Sequence, residues 1–133
     1  MPAPKLLTEL RADLDMVPGF KNAYIKFEVE NIFRQSKPFT GFDTETETPG
    51  YTLLHGGIGF NLANGKGNTM LNVAFLVSNI ADISYQSHLS RLKYGPMNIA
   101  TGRQGVYNMG RNFTLKLNLP LSFVVSKNKT TLK

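Results

Sequence analysis

The sequence predicts an all-β chain, an antiparallel up-and-down meander of about five long strands of the type that forms part of a transmembrane β-barrel. Three observations lead to this fold class. Hydrophobic and polar residues alternate over five stretches, each stretch is long for a strand, and short and long connections alternate between them. A tilted strand of about 9–11 residues crosses a bilayer, and outer-membrane barrels have short turns at one end and long loops at the other.

The five strands follow from side-chain alternation, because successive residues of a strand point to opposite faces of the sheet. The last stretch is the clearest: apolar residues at every second position from Phe113 to Phe123 alternate with mainly polar ones. Its apolar set is Phe113, Leu115, Leu117, Leu119, Leu121 and Phe123. In chain order the predicted strands are Leu6–Asp15, Asn22–Glu30, Tyr51–Leu62, Thr69–Val77 and Arg111–Phe123.

The connections are of two kinds. Met16–Lys21 contains Pro18-Gly19 and Ala63–Asn68 contains Asn64-Gly65, which is turn chemistry. The other two connections, Arg34–Gly50 and Asn79–Gly110, are long. This strict alternation favours a barrel segment over a soluble meander.

The second long connection is predicted to contain a short amphipathic helix over Ser84–Lys93. Asp82 to Ser84 offer an N-cap, and Tyr85, Leu89 and Leu92 have helical spacing. The Gly- and Asn-rich stretch Asn98–Gly110 is expected to be irregular.

Composition excludes several classes of protein. The 133 residues are enough for one domain, and the absence of cysteine rules out disulfides and thiolate metal sites. Half of the net charge of +6 comes from Lys127, Lys129 and Lys133 in a basic tail over residues 124–133. The remaining basic residues are scattered, which argues against a nucleic-acid partner.

The residues that could carry chemistry do not form a recognisable site. His55 and His88 have no ligand at metal-binding spacing in the sequence, so a structural role is expected for both. Asp43, Glu45 and Glu47 superficially resemble a calcium loop but lack the glycine and distal glutamate of an EF-hand. A solvated loop is the favoured interpretation.

The glycines of HGGIGF lie within a strand with no helix after them, so we expect close packing or a kink there and not a phosphate cradle. They are Gly56, Gly57 and Gly59. No catalytic residue, cofactor-binding residue, cofactor or metal ligand is predicted, and the chain is not expected to be an enzyme.

Three stretches resemble the C-terminal end of TonB-dependent outer-membrane receptors of the branch common in Bacteroidetes. They are TETPGYTLLHGGIGF (Thr46–Phe60), NIADISYQSHLSRLKY (Asn79–Tyr94) and TGRQGVYNMGRNFTLKLNLPLSF (Thr101–Phe123). The resemblance implies a 22-stranded barrel in the outer membrane, plugged by an N-terminal domain. Such receptors take up scarce ligands, such as metal chelates or glycans, with energy from the TonB complex.

The resemblance assigns residues 1–123 to the C-terminal part of the barrel. No plug domain or TonB-contacting segment is present, five strands are too few for a barrel, and VVSKNKTTLK follows Phe123. We therefore expect a fragment, truncated gene or gene remnant that cannot transport by itself. Its expected partners are outer-membrane lipid, the remaining barrel strands, the plug of the parent receptor and, through that plug, the TonB complex.

One alternative stays open from the sequence: a small soluble antiparallel β protein that binds an apolar ligand or a protein partner. In that case the apolar faces would form its core. Loop residues Tyr85, Arg91, Arg103 and Tyr107 could contact a ligand, although packing among the loops is the favoured interpretation.

Overall fold

The computed structural model describes residues 3–14, 19–39, 41, 45–65 and 68–121. These residues are all-β with almost no helix. Five strands form one antiparallel sheet: β1 (Lys5–Leu14), β2 (Phe20–Ile32), β3 (Tyr51–Ala63), β4 (Thr69–Ser78) and β7 (Asn112–Asn118). They neighbour one another in the order β1-β2-β3-β4-β7, while β5 (Met97–Asn98) and β6 (Arg103–Gln104) form a separate two-stranded sheet.

The meander has two different ends. Residues 15–19 and 64–68 make the short connections at the turn end, and two long loops, residues 33–50 and 79–111, lie at the loop end. The predicted alternation of short and long connections is therefore confirmed. Within the described residues β1 and β7 each pair with a single neighbour, so the sheet is not closed.

The strand register aligns the apolar sets of neighbouring strands. Ile25 of β2 pairs with Ile58 of β3, which in turn pairs with Phe75 of β4, and Phe75 pairs with Leu115 of β7. Directly paired residues lie on the same face, so the alternation of each strand adds up to one apolar and one polar face. Register is strongly specified because a slip of one residue would exchange the two faces.

A β-bulge near the start of β2 keeps Phe20 on the apolar face. The register shifts between Lys21 and Tyr24, and Asn22 adopts a positive φ of 51°. Asparagine tolerates this left-handed conformation better than most residues. Phe20 consequently reaches Phe60, with the ring centroids 5.0 Å apart in an edge-to-face contact.

The last strand is shorter than the sequence predicts. It ends at Asn118, and Leu119–Leu121 are not in the ladder. Continuing the register would place Pro120 opposite Met70, and proline has no N–H to donate to a strand partner. Asp15, Pro18, Asp43, Phe123 and the basic tail over 124–133 lie outside the described residues.

The prediction of a helix over Ser84–Lys93 is wrong: the segment contains only a 3-10 turn over Arg91–Tyr94. Long-range contacts occupy its backbone, since Asn108 N–H donates to the Tyr85 carbonyl at 2.9 Å. Leu89 and Leu92 are also exposed, so two of the three residues whose spacing suggested a helix have no surface to pack on.

The prediction that Asn98–Gly110 is irregular is wrong at Asn98 and at Arg103–Gln104, which form strands. A two-stranded hairpin of β5 (Met97–Asn98) and β6 (Arg103–Gln104) forms within the second long loop. Its turn uses Gly102 at a φ of +66°. Periodicity gives no signal for a hairpin with two-residue strands.

Candidate functional site

The apolar face of the sheet carries side chains from all five strands. Its exposed side chains have exposed fractions from 37% for Phe20 to 74% for Leu10. Among the described residues the buried hydrophobic side chains are Ala23 and Leu53. The exposed members of this face are Leu6, Leu10, Leu14, Phe20, Ile25, Phe27, Ile58, Phe75, Phe113, Leu115 and Leu117. A contiguous apolar surface of this kind marks contact with lipid or with a partner protein.

The polar face carries a network of half-buried charges across β1, β2 and β3. Lys26 Nζ lies 2.8 Å from Glu28 Oε2 and 3.7 Å from Glu9 Oε2. Glu30 accepts a bond from Lys5 at 3.2 Å and lies 3.7 Å from His55 Nε2. A cleft of about 280 Å³ opens between these side chains. This face suits contact with water or with a polar protein surface.

The glycines within β3 make room for larger side chains on the polar face. A Cβ at Gly57 would lie 2.5 Å from Leu76 Cδ2, and one at Gly59 would lie 2.5 Å from the Tyr24 ring. The guanidinium of Arg11 lies 4.2 Å from the centre of the same ring. The expected close packing at these glycines is confirmed.

A polar cluster, which we call the loop cluster, joins the two long loops. It consists of the buried residues Thr48, His88 and Lys93 together with Glu45. Lys93 Nζ lies 2.8 Å from the His88 carbonyl and 3.3 Å from Thr48 Oγ, and His88 Nδ1 lies 3.0 Å from the same hydroxyl. Buried polar groups with several bonds of this kind fix one arrangement of the chain.

Two acidic residues of the first long loop have specific partners. Phe39 N–H donates to Glu45 Oε2 at 2.8 Å, and this bond, aided by the nearby His88, holds the pKa of Glu45 below its ordinary value. Glu47 pairs with Arg34. Glu45 and Glu47 therefore form part of an organised loop.

Each histidine faces a carboxylate that the sequence spacing did not reveal. His55 lies opposite Glu30, and the side chain of His88 is only 4% exposed with its Nε2 atom 3.5 Å from Glu45 Oε2. The partners are far apart in sequence and on different elements. No local pattern could have predicted these contacts.

The loop residues singled out from the sequence take part in packing. Tyr85 stacks on Tyr51 with ring centroids 4.6 Å apart. Arg103 donates to Ser84 Oγ at 3.1 Å and lies over the ring of Tyr107. Arg91 lines a cleft of about 330 Å³ beside the loop cluster.

Among the described residues no group of three or more His, Cys, Asp or Glu side chains is positioned to hold a metal ion. None of the helical segments in this part of the chain has the length and hydropathy needed to cross a membrane. Comparison with family models, curated proteins and solved structures gave no match.

Proposed function

We propose that this chain is a segment of the barrel wall of an outer-membrane TonB-dependent receptor, and that it takes part in energy-coupled uptake only as a component of that receptor. The observation that carries the proposal is the apolar face. Its side chains are contributed by all five strands in register and remain exposed on a sheet whose other face is charged. Outer-membrane barrels have this distribution, with apolar side chains toward lipid and polar ones toward the lumen.

The energetics favour lipid as the covering layer. Removing a Leu, Ile or Phe side chain from water contributes about 1.5–3 kcal/mol. Each of the eleven exposed side chains of the apolar face leaves part of that contribution unused in water. Hydrocarbon tails can cover a long, flat face without a shaped partner.

The edges of the sheet determine what else is required. Each unpaired backbone group costs several kcal/mol in lipid, so β1 and β7 would need further strands beside them. The smallest transmembrane barrels have about eight strands. We therefore assign the pairing of these edges to the remaining strands of a parent receptor, with no transport by the five strands alone.

The remaining roles follow from the two faces and the loop end. The polar face would meet the plug of the parent receptor, which in turn contacts the TonB complex. The two long loops would help to shape the entrance for a scarce ligand such as a metal chelate or a glycan. Their mutual packing through the loop cluster is consistent with a rigid wall at that entrance.

Adjacent residues of β4 offer a direct test, because Ala74 and Phe75 point to opposite faces and the chain has no cysteine. Phe75→Cys and Ala74→Cys each introduce one labelling site in the full chain, on opposite faces of the sheet. Each variant is refolded with phosphatidylcholine vesicles, labelled with an environment-sensitive dye and exposed to lipids carrying a quencher in the acyl chain.

Lipid contact predicts strong quenching at position 75 and weak quenching at position 74. Equal quenching at both positions would contradict the proposal. A folded, monomeric chain in buffer that ignores vesicles would instead support the soluble β protein with an apolar ligand or protein partner.

A further inference from the structure

The turn between β3 and β4 contains the only Asn-Gly dipeptide of the sequence, Asn64-Gly65. Asn64 is half-buried and Gly65 is exposed, so water reaches both residues. The roles proposed for the apolar face, the polar face and the two long loops do not involve this turn. Its chemistry is therefore separate from the proposed function.

The turn itself holds the side chain of Asn64. Asn68 N–H donates to Asn64 Oδ1 at 2.9 Å, and Asn64 N–H donates to the Asn68 carbonyl at 2.9 Å. The first bond directs the side-chain amide toward the residues that follow Asn64 in the chain. It also activates this amide, because a donor at a carbonyl oxygen stabilises the negative charge that develops there when a nucleophile attacks the carbon.

The backbone nitrogen of Gly65 is the nucleophile nearest in the chain to this carbonyl carbon. Glycine has no Cβ to shield its nitrogen, and nothing lies within 4 Å of the position that a Cβ would occupy at Gly65. Among the described residues no acceptor receives a hydrogen bond from Gly65 N–H. Attack of this nitrogen on Asn64 Cγ would close a five-membered ring.

We propose that Asn64 is a site of spontaneous deamidation, with water as the co-reactant. The Gly65 nitrogen forms a bond to Asn64 Cγ, the bond from Cγ to Nδ2 breaks, and the proton of Gly65 N–H passes through water to the ammonia that leaves. Water then opens the cyclic imide at one of its two carbonyls. Opening at Cγ gives aspartate, and opening at the main-chain carbonyl gives isoaspartate, without any oxidant or reductant.

The two products have different effects on the turn. Aspartate adds a negative charge but keeps an oxygen that can accept from Asn68 N–H. Isoaspartate carries the main chain through Cγ and so lengthens the backbone by one carbon. Ala63 pairs with Thr69 directly beside this turn, and the geometry of a turn sets the register of its hairpin. Isoaspartate should therefore loosen this end of the β3–β4 ladder.

Deamidation does not require lipid contact, so its test can succeed or fail separately from the proposed function. The full chain is refolded in detergent, incubated at neutral and at mildly alkaline pH, digested with trypsin and analysed by mass spectrometry. The tryptic peptide over residues 35–66 also contains Asn61, which precedes Leu62 and is the internal control. Gly65→Ala is the matched variant, since its Cβ has open space and Gly65 has no positive φ.

We expect the mass shift from an amide to a carboxylic acid at Asn64, faster at alkaline pH, with no shift at Asn61 over the same time. An isoaspartate-specific methyltransferase should label the incubated protein, and amide hydrogen exchange should become faster at Ala63 and Thr69. Gly65→Ala should keep the circular dichroism spectrum of the wild type and lose most of the mass shift. No deamidation at Asn64, or equal rates in the wild type and Gly65→Ala, would overturn the proposal.

Discussion

A lysine in place of Ile58 should weaken association with a bilayer more than a lysine anywhere near the ends of β3. Ile58 lies on the apolar face, 46% exposed, between Ile25 and Phe75 of the neighbouring strands. It is seven residues from Tyr51 and five from Ala63, or ~23 Å and ~17 Å along the strand. In the proposed barrel wall, a strand tilt of about 40° would reduce these distances to ~18 Å and ~13 Å and would put position 58 near the middle of the bilayer.

The free-energy cost of the lysine depends on its depth in the bilayer. A lysine facing lipid at the midplane costs about 2–4 kcal/mol, and one near the interface costs about 0–1 kcal/mol. Ile58→Lys should therefore reduce partitioning into vesicles by roughly 30- to 800-fold. Leu62→Lys, on the same face near the turn end, should have a small effect, and Asn61→Lys on the polar face should have almost none.

The assay is flotation of the full chain with phosphatidylcholine vesicles over a range of lipid concentrations, which gives the partition free energy of each variant. The expected order of cost is Ile58→Lys, then Leu62→Lys, then Asn61→Lys. If the apolar face does not meet hydrocarbon, all three become surface substitutions with effects within about 0.5 kcal/mol. Equal partition free energies for Ile58→Lys and Asn61→Lys would refute the reasoning.

Three further predictions concern the loop end. Gly105→Ala should loosen the second long loop, which faster proteolysis would detect. Gly105 has a φ of +71°, and the Cβ of an alanine there would collide with the Lys93 carbonyl. Gly102→Ala is the control, with a positive φ but open space around it, and should cost only about 1–2 kcal/mol of local stability. Lys93→Met should separate the two long loops and speed amide hydrogen exchange in both, because the Lys93 ammonium donates to the Thr46 carbonyl of the first loop and to the His88 carbonyl of the second. Unchanged exchange rates would contradict this. The pKa of Glu45 is lowered, so its contacts stabilise the loop fully at pH values above the ordinary pKa of glutamate. This stabilisation should be lost as the pH falls through the lower pKa of the folded state, and an NMR titration of the Glu45 carboxyl group would follow the loss.

The sheet could be predicted from the sequence because its strands follow a local rule. Alternation alone located all five strands, with β1 to β4 correct to within about two residues at each described end. The error in β7 comes from Pro120, whose missing N–H ends a ladder even where the hydrophobic pattern continues. The alternation of apolar and polar residues also could not predict the bulge at Asn22, which moves Phe20 onto the apolar face.

The loop end could not be predicted in the same way because its contacts join distant parts of the chain. Thr48 and His88 are 40 residues apart, and Thr48 and Lys93 are 45 apart. The spacing of Tyr85, Leu89 and Leu92 indicated a helix, but the tertiary bonds of this segment outweigh a weak local preference. Residues that meet only through folding leave no periodic signal.

The exposed apolar face links the stability of this chain to its function. A folded domain exceeds its conformational entropy cost by only about 5–15 kcal/mol, and burial of apolar surface supplies most of the favourable term. In the described residues that surface is largely exposed, with only Ala23 and Leu53 buried among the hydrophobic side chains. Whatever covers the apolar face must therefore supply much of the stability of the sheet. If the covering layer is lipid, the fold should be gained together with the membrane, and a substitution such as Ile58→Lys should lower both folding and binding in proportion.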